Sequence, residues 1–257
     1  MPASAAQPFR RDRVTWLAYA MLGWFAYLQA SIGLVVPHLR DELDLGYTAA
    51  GLHVAAFAAG ATVSGTIAGR VEARIGRRAL FWTGATGMAA GAVALVAARH
   101  VAVSLGAMAF MGALGALLLV SINAVLSDRH GERRSFALTE ANVVAALGYV
   151  ALTGAFSLAA ALAVGWRAAI LGILLVLPAA WAFGRRAPLD GRPPAAGSES
   201  GAGARLPRGF WVMAAFVFCG AAVEWCLTAW GASLVRDTTG VSLDAAVGLM
   251  TAYFGGV

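Results

Sequence analysis

The chain has 257 residues, 60% of them hydrophobic and 12% charged, with a mean hydropathy of +0.74 and a formal net charge of +6. A water-soluble domain carries about a quarter of its residues as Asp, Glu, Lys and Arg, so this composition excludes a soluble fold, and its aromatic and apolar content excludes disorder. What is left is an all-α integral membrane protein with the lipid bilayer as its solvent. All 19 cations are Arg. The absence of Lys excludes P-loop chemistry and the Schiff-base cofactors pyridoxal phosphate and retinal. The Arg residues end apolar runs and form no stripe, so no nucleic-acid partner is expected, and no cofactor or metal is called for.

A bilayer core is crossed by about 20 apolar residues in helical form. Charge-free runs of that kind cover 14–39, 45–69, 79–98, 101–127, 141–166 and 168–184. A seventh covers 209–235, interrupted only by Glu224, and an eighth starts near Ala245 and stays apolar to Val257. Every Arg except Arg40, Arg99, Arg167 and Arg236 falls on the side of the N-terminus. By the positive-inside rule that side is cytoplasmic, and the expected location is the inner (plasma) membrane, crossed many times. Trp16, Trp82, Trp181 and Trp211 fall near cytoplasmic ends and Trp166 and Trp230 near outer ends, as interfacial anchors do. Cys219 and Cys226, at i and i+7, are about 10 Å apart on a helix, too far for a disulfide, and read as packing residues.

The expected organisation is a cytoplasmic tail (1–13), a six-helix bundle (14–184), a cytoplasmic linker (185–208) rich in Pro, Gly and Ser, and the start of a second bundle (209–257). Spans three and six lack ionisable and amide side chains, which suggests that spans one to three repeat as spans four to six. An odd number of spans per repeat inverts the second copy. Gly76-Arg77-Arg78-Ala79 before span three echoes Gly165-Trp166-Arg167-Ala168 before span six.

Between spans two and three the sequence reads Gly69-Arg70-Val71-Glu72-Ala73-Arg74-Ile75-Gly76-Arg77-Arg78. This resembles the signature loop of the major facilitator superfamily, G-x-x-x-D-R/K-x-G-R/K-R/K, with Gly69, Arg74, Gly76, Arg77 and Arg78 in place. The resemblance extends to the Gly165-Trp166-Arg167 entry to span six, the long linker and the 3+3 inverted repeat. It implies a secondary transporter that moves a small-molecule substrate by alternating access, monomeric when full length, with these five loop residues as a conformational switch. It also implies that the chain holds one bundle and part of its partner. Three departures stand against a specific proton antiport. Ala73 occupies the usual Asp position, Met108 replaces the usual helix-four Arg ahead of Gly112, and the G-x-x-x-G-P pattern of helix five is missing.

Polar residues inside the spans are the site candidates. Glu224 falls close to mid-membrane, where a carboxylate is costly and usually faces a cavity, pathway or partner; loading and release of a proton there is the functional expectation. His53 suits either a proton relay or an interhelical hydrogen bond. Gln29 and Asn123 suit substrate contact or helix association equally, and Tyr149 shares a face of span five with Asn142 and Thr153. Trp24 and Trp225 are deep enough to line an amphiphile cavity or to pack. Placement of the family's cavity between helices one, four, seven and ten nominates Trp24, Gln29, Asn123 and Glu224. Amphiphile efflux and sugar or organic-acid uptake both stay open, as does coupling to protons. The competing readings are a seven-helix receptor or sensor, which the eighth apolar run opposes, and an intramembrane enzyme, for which no G-x-S-x-G or H-E-x-x-H occurs.

Overall fold

A computed structural model describes residues 9–189 and 207–256. Most of the tail expected over 1–13 and of the linker expected over 185–208 lies outside the described residues. Six stretches among the described residues are long and apolar enough to cross a membrane. One of them, Val101–Ala161, has 61 residues, about three times what the hydrocarbon core accommodates as a helix. It is two helices in succession, so seven cross, in a multi-pass all-α membrane fold.

Helix α1 (Arg13–Leu43) starts at Asp12, whose Oδ1 accepts the Thr15 backbone N–H at 2.9 Å. It is apolar on every side, and a helix of that kind belongs inside a bundle. Residues from Val14 to Leu39 are buried almost without interruption, and α1 packs against most of the other helices. Helices α2 (Tyr47–Ile75), α3 (Arg77–Ala97), α4 (Val101–His130) and α5 (Arg134–Ala161) follow, with a short 3-10 turn at Gly131–Arg133.

Lipid tails are as apolar as Leu side chains, so no hydrophobic drive brings helices together in a bilayer and they associate through close backbone approach. Two crossings show this. Where α2 meets α4, a Cβ on Gly112 would sit 2.0 Å from the Phe57 carbonyl oxygen, and one on Gly60 would sit 2.1 Å from that of Ala109. Where α1 meets α5, a Cβ on Gly148 would sit 2.4 Å from the Gly23 carbonyl oxygen, and one on Gly23 would sit 3.1 Å from that of Val144. Gly23 and Gly112 are separated by the same stretch of chain as Gly76 and Gly165. The α1–α5 contact is therefore the repeat image of the α4–α2 contact. The four-residue echo has the same basis: Gly76 (φ +80°, ψ 156°) and Gly165 (φ +79°, ψ 159°) open their helices in one backbone shape that favours glycine.

The sixth span departs from the uninterrupted run expected over 168–184. It is two short helices, α6 (Trp166–Leu174) and α7 (Val176–Gly184), hinged at Leu175. Pro178 explains the break, since it has no N–H to give the Leu174 carbonyl and its ring crowds that oxygen. Helix α8 (Arg208–Thr239) lies against α1, and α9 (Leu243–Gly256) packs on α5 and α8. Cys219 and Cys226 are exposed on α8, not packed as the sequence suggested.

Candidate functional site

A carboxylate, an amide, a phenol and an indole come together where α8 crosses the first bundle. Glu224 sits midway along the 32 residues of α8. It lines a small polar cleft with Gln29 and Ala30 of α1, Tyr149 of α5, and Trp225 and Thr228 of its own helix. Gln29 and Trp225 also line a larger cavity of about 340 Å³, so the cleft and the cavity share a wall. Aromatic rings line the cavity. Phe25 stands one turn from Gln29 on α1, Phe57 comes from α2, and Phe218 stands two turns from Trp225 on α8. Phe57 and Trp225 face each other with ring centroids 6.2 Å apart. Gly112, Ala116 and Leu119 form the α4 wall, where the first two leave space beside them. Thr62 brings a hydroxyl, which donates to the Ala58 carbonyl at 2.8 Å. Among the described residues, no Arg or His side chain lines the cavity or the cleft.

One end of this site is shut and the other is open. At Gly33, where an added Cβ would sit 1.9 Å from the Thr228 carbonyl oxygen, α1 and α8 touch through their backbones. Ala229, Gly231, Ala232 and Ser233 are buried beyond that point. Polar ties continue outward: Arg236 donates to Asp41 at 2.9 Å, Tyr47 donates to Asp237 at 2.6 Å, and His38 lies 3.8 Å from Asp244. The Arg40 guanidinium stacks 4.3 Å from the Tyr47 ring centroid. Towards Arg208, by contrast, residues 208–224 of α8 are exposed.

The signature loop lies at the open end. Arg77 donates to Glu72 and to Asp128 of α4, each at 2.6 Å, and Arg78 donates to the Ala187 carbonyl at 3.1 Å. Glu72, next to the Ala73 that occupies the usual Asp position, thus supplies a carboxylate to the loop. The repeat image stands at the shut end. Arg167 binds Glu42 through two nitrogens, at 2.8 and 2.6 Å, and donates to the Val96 carbonyl at 3.0 Å, while the Trp166 indole also donates to Glu42 at 2.8 Å. Gly69 and Arg74 are exposed, and a Cβ on Gly69 would meet nothing.

The open end carries a second ionic group. Glu140 accepts from Arg11 (Nε at 2.8 Å) and from Tyr19 at 3.0 Å. Asp12 pairs with Arg129 and accepts two hydrogen bonds from Thr15. Partial burial pushes the Asp12 carboxyl up, but Arg129 and Thr15 outweigh it and hold it below the usual carboxylate range.

The remaining candidates are placed elsewhere. His53 is buried, held by the Ala49 carbonyl at 2.8 Å and Ser104 Oγ at 2.8 Å, so it joins α2 to α4. Trp24 is buried with its indole donating to the Ile173 carbonyl at 3.1 Å, a tie to α6. Asn123 and Asn142 are exposed, and Thr153 is buried and donates to the Val150 carbonyl. Sequence reasoning missed Phe25, Phe57 and Phe218. The i, i+4 spacing of Phe25 with Gln29 and the two-turn spacing of Phe218 with Trp225 were available signals.

Against known proteins, the family model of the Major Facilitator Superfamily matches residues 7–257. The chain belongs to that superfamily. Among solved structures it is similar to a D-xylose–proton symporter, with a TM-score of 0.68 and 15% identity over 93% of this chain and 64% of that one. It is also similar to a peptide transporter solved with sulfate, with a TM-score of 0.58 and 20% identity over 89% of this chain and 48% of that one. The chain thus spans between about half and two thirds of the length of these structures. At this identity the likeness shows the fold alone. A search of curated proteins finds no match.

Proposed function

We propose that the protein is a secondary transporter of a small solute, working by alternating access around the cavity between α1, α2, α4 and α8. The observation that carries this reading is a cavity beside the middle of α8, shut at one end by Gly33–Thr228 and the ties beyond it, with residues 208–224 of α8 exposed towards the other. Membership of the superfamily supports it. Residues 14–184 then form one bundle and 209–257 part of its partner, joined by the 185–208 linker, in a protein monomeric when full length. The Arg asymmetry supports a cytoplasmic N-terminus in the inner membrane, which makes the open end cytoplasmic. Gln29, Tyr149 and Glu224 are the residues of the substrate or proton pathway. Gly69, Arg74, Gly76, Arg77 and Arg78, with Glu72 and Asp128 as the carboxylates, form the switch loop.

The contacts at the shut end suit this role energetically. Exposed ion pairs contribute about 0–1 kcal/mol each, so a few of them hold a closed state that substrate binding can reverse. Solute flux into proteoliposomes carrying the protein tests the proposal. Saturable counterflow of at least one solute is expected, and a panel of sugars, organic acids, peptides and amphiphiles with no saturable transport would contradict it.

A further inference from the structure

We propose that His38 and Asp244 form a proton-operated latch at the shut end: a proton on His38 ties α1 to α9 and holds that end closed. The latch rests on the alternating-access reading and adds a regulatory device to it.

The tautomer of His38 carries the inference. Its Nδ1 lies 2.7 Å from the Leu34 carbonyl oxygen. A carbonyl only accepts, so Nδ1 holds the N–H of the neutral ring and Nε2 is left as a bare acceptor. That Nε2 faces a carboxylate oxygen of Asp244 at 3.8 Å, and two acceptors do not attract. A second proton makes Nε2 a cationic donor, and the same contact becomes an ion pair. Imidazole is the side chain whose ordinary charge change falls between about pH 5 and 8.

The first bundle fixes the ring. Its centroid lies 6.0 Å from that of Phe156 on α5 and 6.1 Å from that of Trp166 on α6, and the side chain is only 16% exposed. The charges nearby fall into two groups. Glu42, one turn further along α1, is already bound by Arg167 and Trp166 of α6. All of these belong to the same bundle as His38, so withdrawal of α9 leaves them in place. Arg40 stacks on Tyr47, Asp41 pairs with Arg236 of α8, and Asp237 of α8 accepts from Tyr47. Among the described residues, Asp244 is the acid that α9 brings to His38. The start of α9 is capped by Ser242, whose Oγ accepts the Ala245 N–H at 3.2 Å, so the cap does not depend on the Asp244 carboxylate.

The sign follows from linkage. Protonated His38 gains Asp244 only while α9 is docked, so protonation favours the closed end. The contribution is present at acid pH and is lost as pH rises through the imidazole range.

Spin-label distances between Gly46→Cys and Thr239→Cys, with Cys219 and Cys226 replaced by Ser, test the latch in lipid nanodiscs. Lowering the pH from 8 to 5.5 should raise the ratio of short to long distances about two- to fivefold, the scale of a partly exposed ion pair. His38→Gln and Asp244→Asn should each flatten this response, and the double variant should behave like either one alone. A ratio that ignores pH in the parent protein overturns the latch, as does a full response retained in either variant. So does a response that survives in His38→Gln and vanishes in Glu224→Gln, which would place the proton in the cleft. If His38→Gln fails to fold, Asp244→Asn, a change at an exposed side chain, decides alone. The two claims separate: two distances with no pH response sink only the latch, whereas one short distance at every pH, kept when Asp41→Asn and Tyr47→Phe remove the other ties, sinks the alternating-access reading and the latch with it.

Discussion

Glu224 was legible in the sequence because it is a lone acid inside an apolar run, and the cost of burying charge in a bilayer singles it out. The company it keeps was less legible. Gln29 and Tyr149 meet it in the cleft, whereas Trp24 turns to Ile173, Asn123 is exposed and His53 joins Ser104. A helix that is apolar all round has no polar face to fix its rotation, so the sequence cannot say which of its polar residues looks inward. If Glu224 couples protons, Glu224→Gln should flatten the pH dependence of transport; an unchanged profile in proteoliposomes removes it from that role. Asp12 gives a second test at this scale. Its carboxyl is held below its ordinary value of 3.8, so its contribution to stability is fully present above that value and is lost as pH falls through the lower value of the folded protein. Thermal unfolding from pH 6 down to pH 3 should show the parent protein losing its advantage over Asp12→Asn at the acid end. A gap that stays constant would mean that the Arg129 and Thr15 contacts carry no weight.

The helices themselves follow from hydropathy, but their crossings follow from glycine, and a chain with 31 glycines does not announce which ones matter. Gly60 and Gly112 lie where backbones touch, while Gly65 has open space at its Cβ position. Gly112→Ala should therefore cost about 1–3 kcal/mol through forced separation of α2 and α4, read as a lower melting temperature in detergent, and Gly65→Ala should change little. Comparable melting of the two variants would contradict the close-approach account. The break at Leu175 was missed for a related reason: hydropathy runs unbroken through it, and only Pro178 marks it. The short echo before spans three and six, weak as four letters, has a clear physical basis. Both glycines take the same positive-φ shape, and the Arg residues after them bond carboxylates or carbonyls of other helices or, for Arg78, the Ala187 carbonyl just beyond α7.

At the scale of the molecule, two opposed sets of contacts surround one cavity. At one end Gly33 and Thr228 touch and Asp41, Tyr47 and His38 reach α8 and α9. At the other, Arg77 stays within the first bundle, bound to Glu72 and Asp128, and α8 stands away. The seven crossings and the 3+3 repeat could be read from sequence. Which end is closed could not, because it depends on pairings such as Asp41–Arg236 between residues far apart in the chain. Gly33→Val should hold α1 and α8 apart and abolish transport while leaving the first bundle folded. Retained flux in that variant would show that closure at this point is dispensable. The most direct test of alternating access is the distance between spin labels at Gly46→Cys and Thr239→Cys, with Cys219 and Cys226 replaced by Ser, in lipid nanodiscs. Two distances are expected, with the longer one gaining population when Asp41→Asn and Tyr47→Phe remove the ties. A single short distance, unchanged by both substitutions, would contradict the proposal that this end opens.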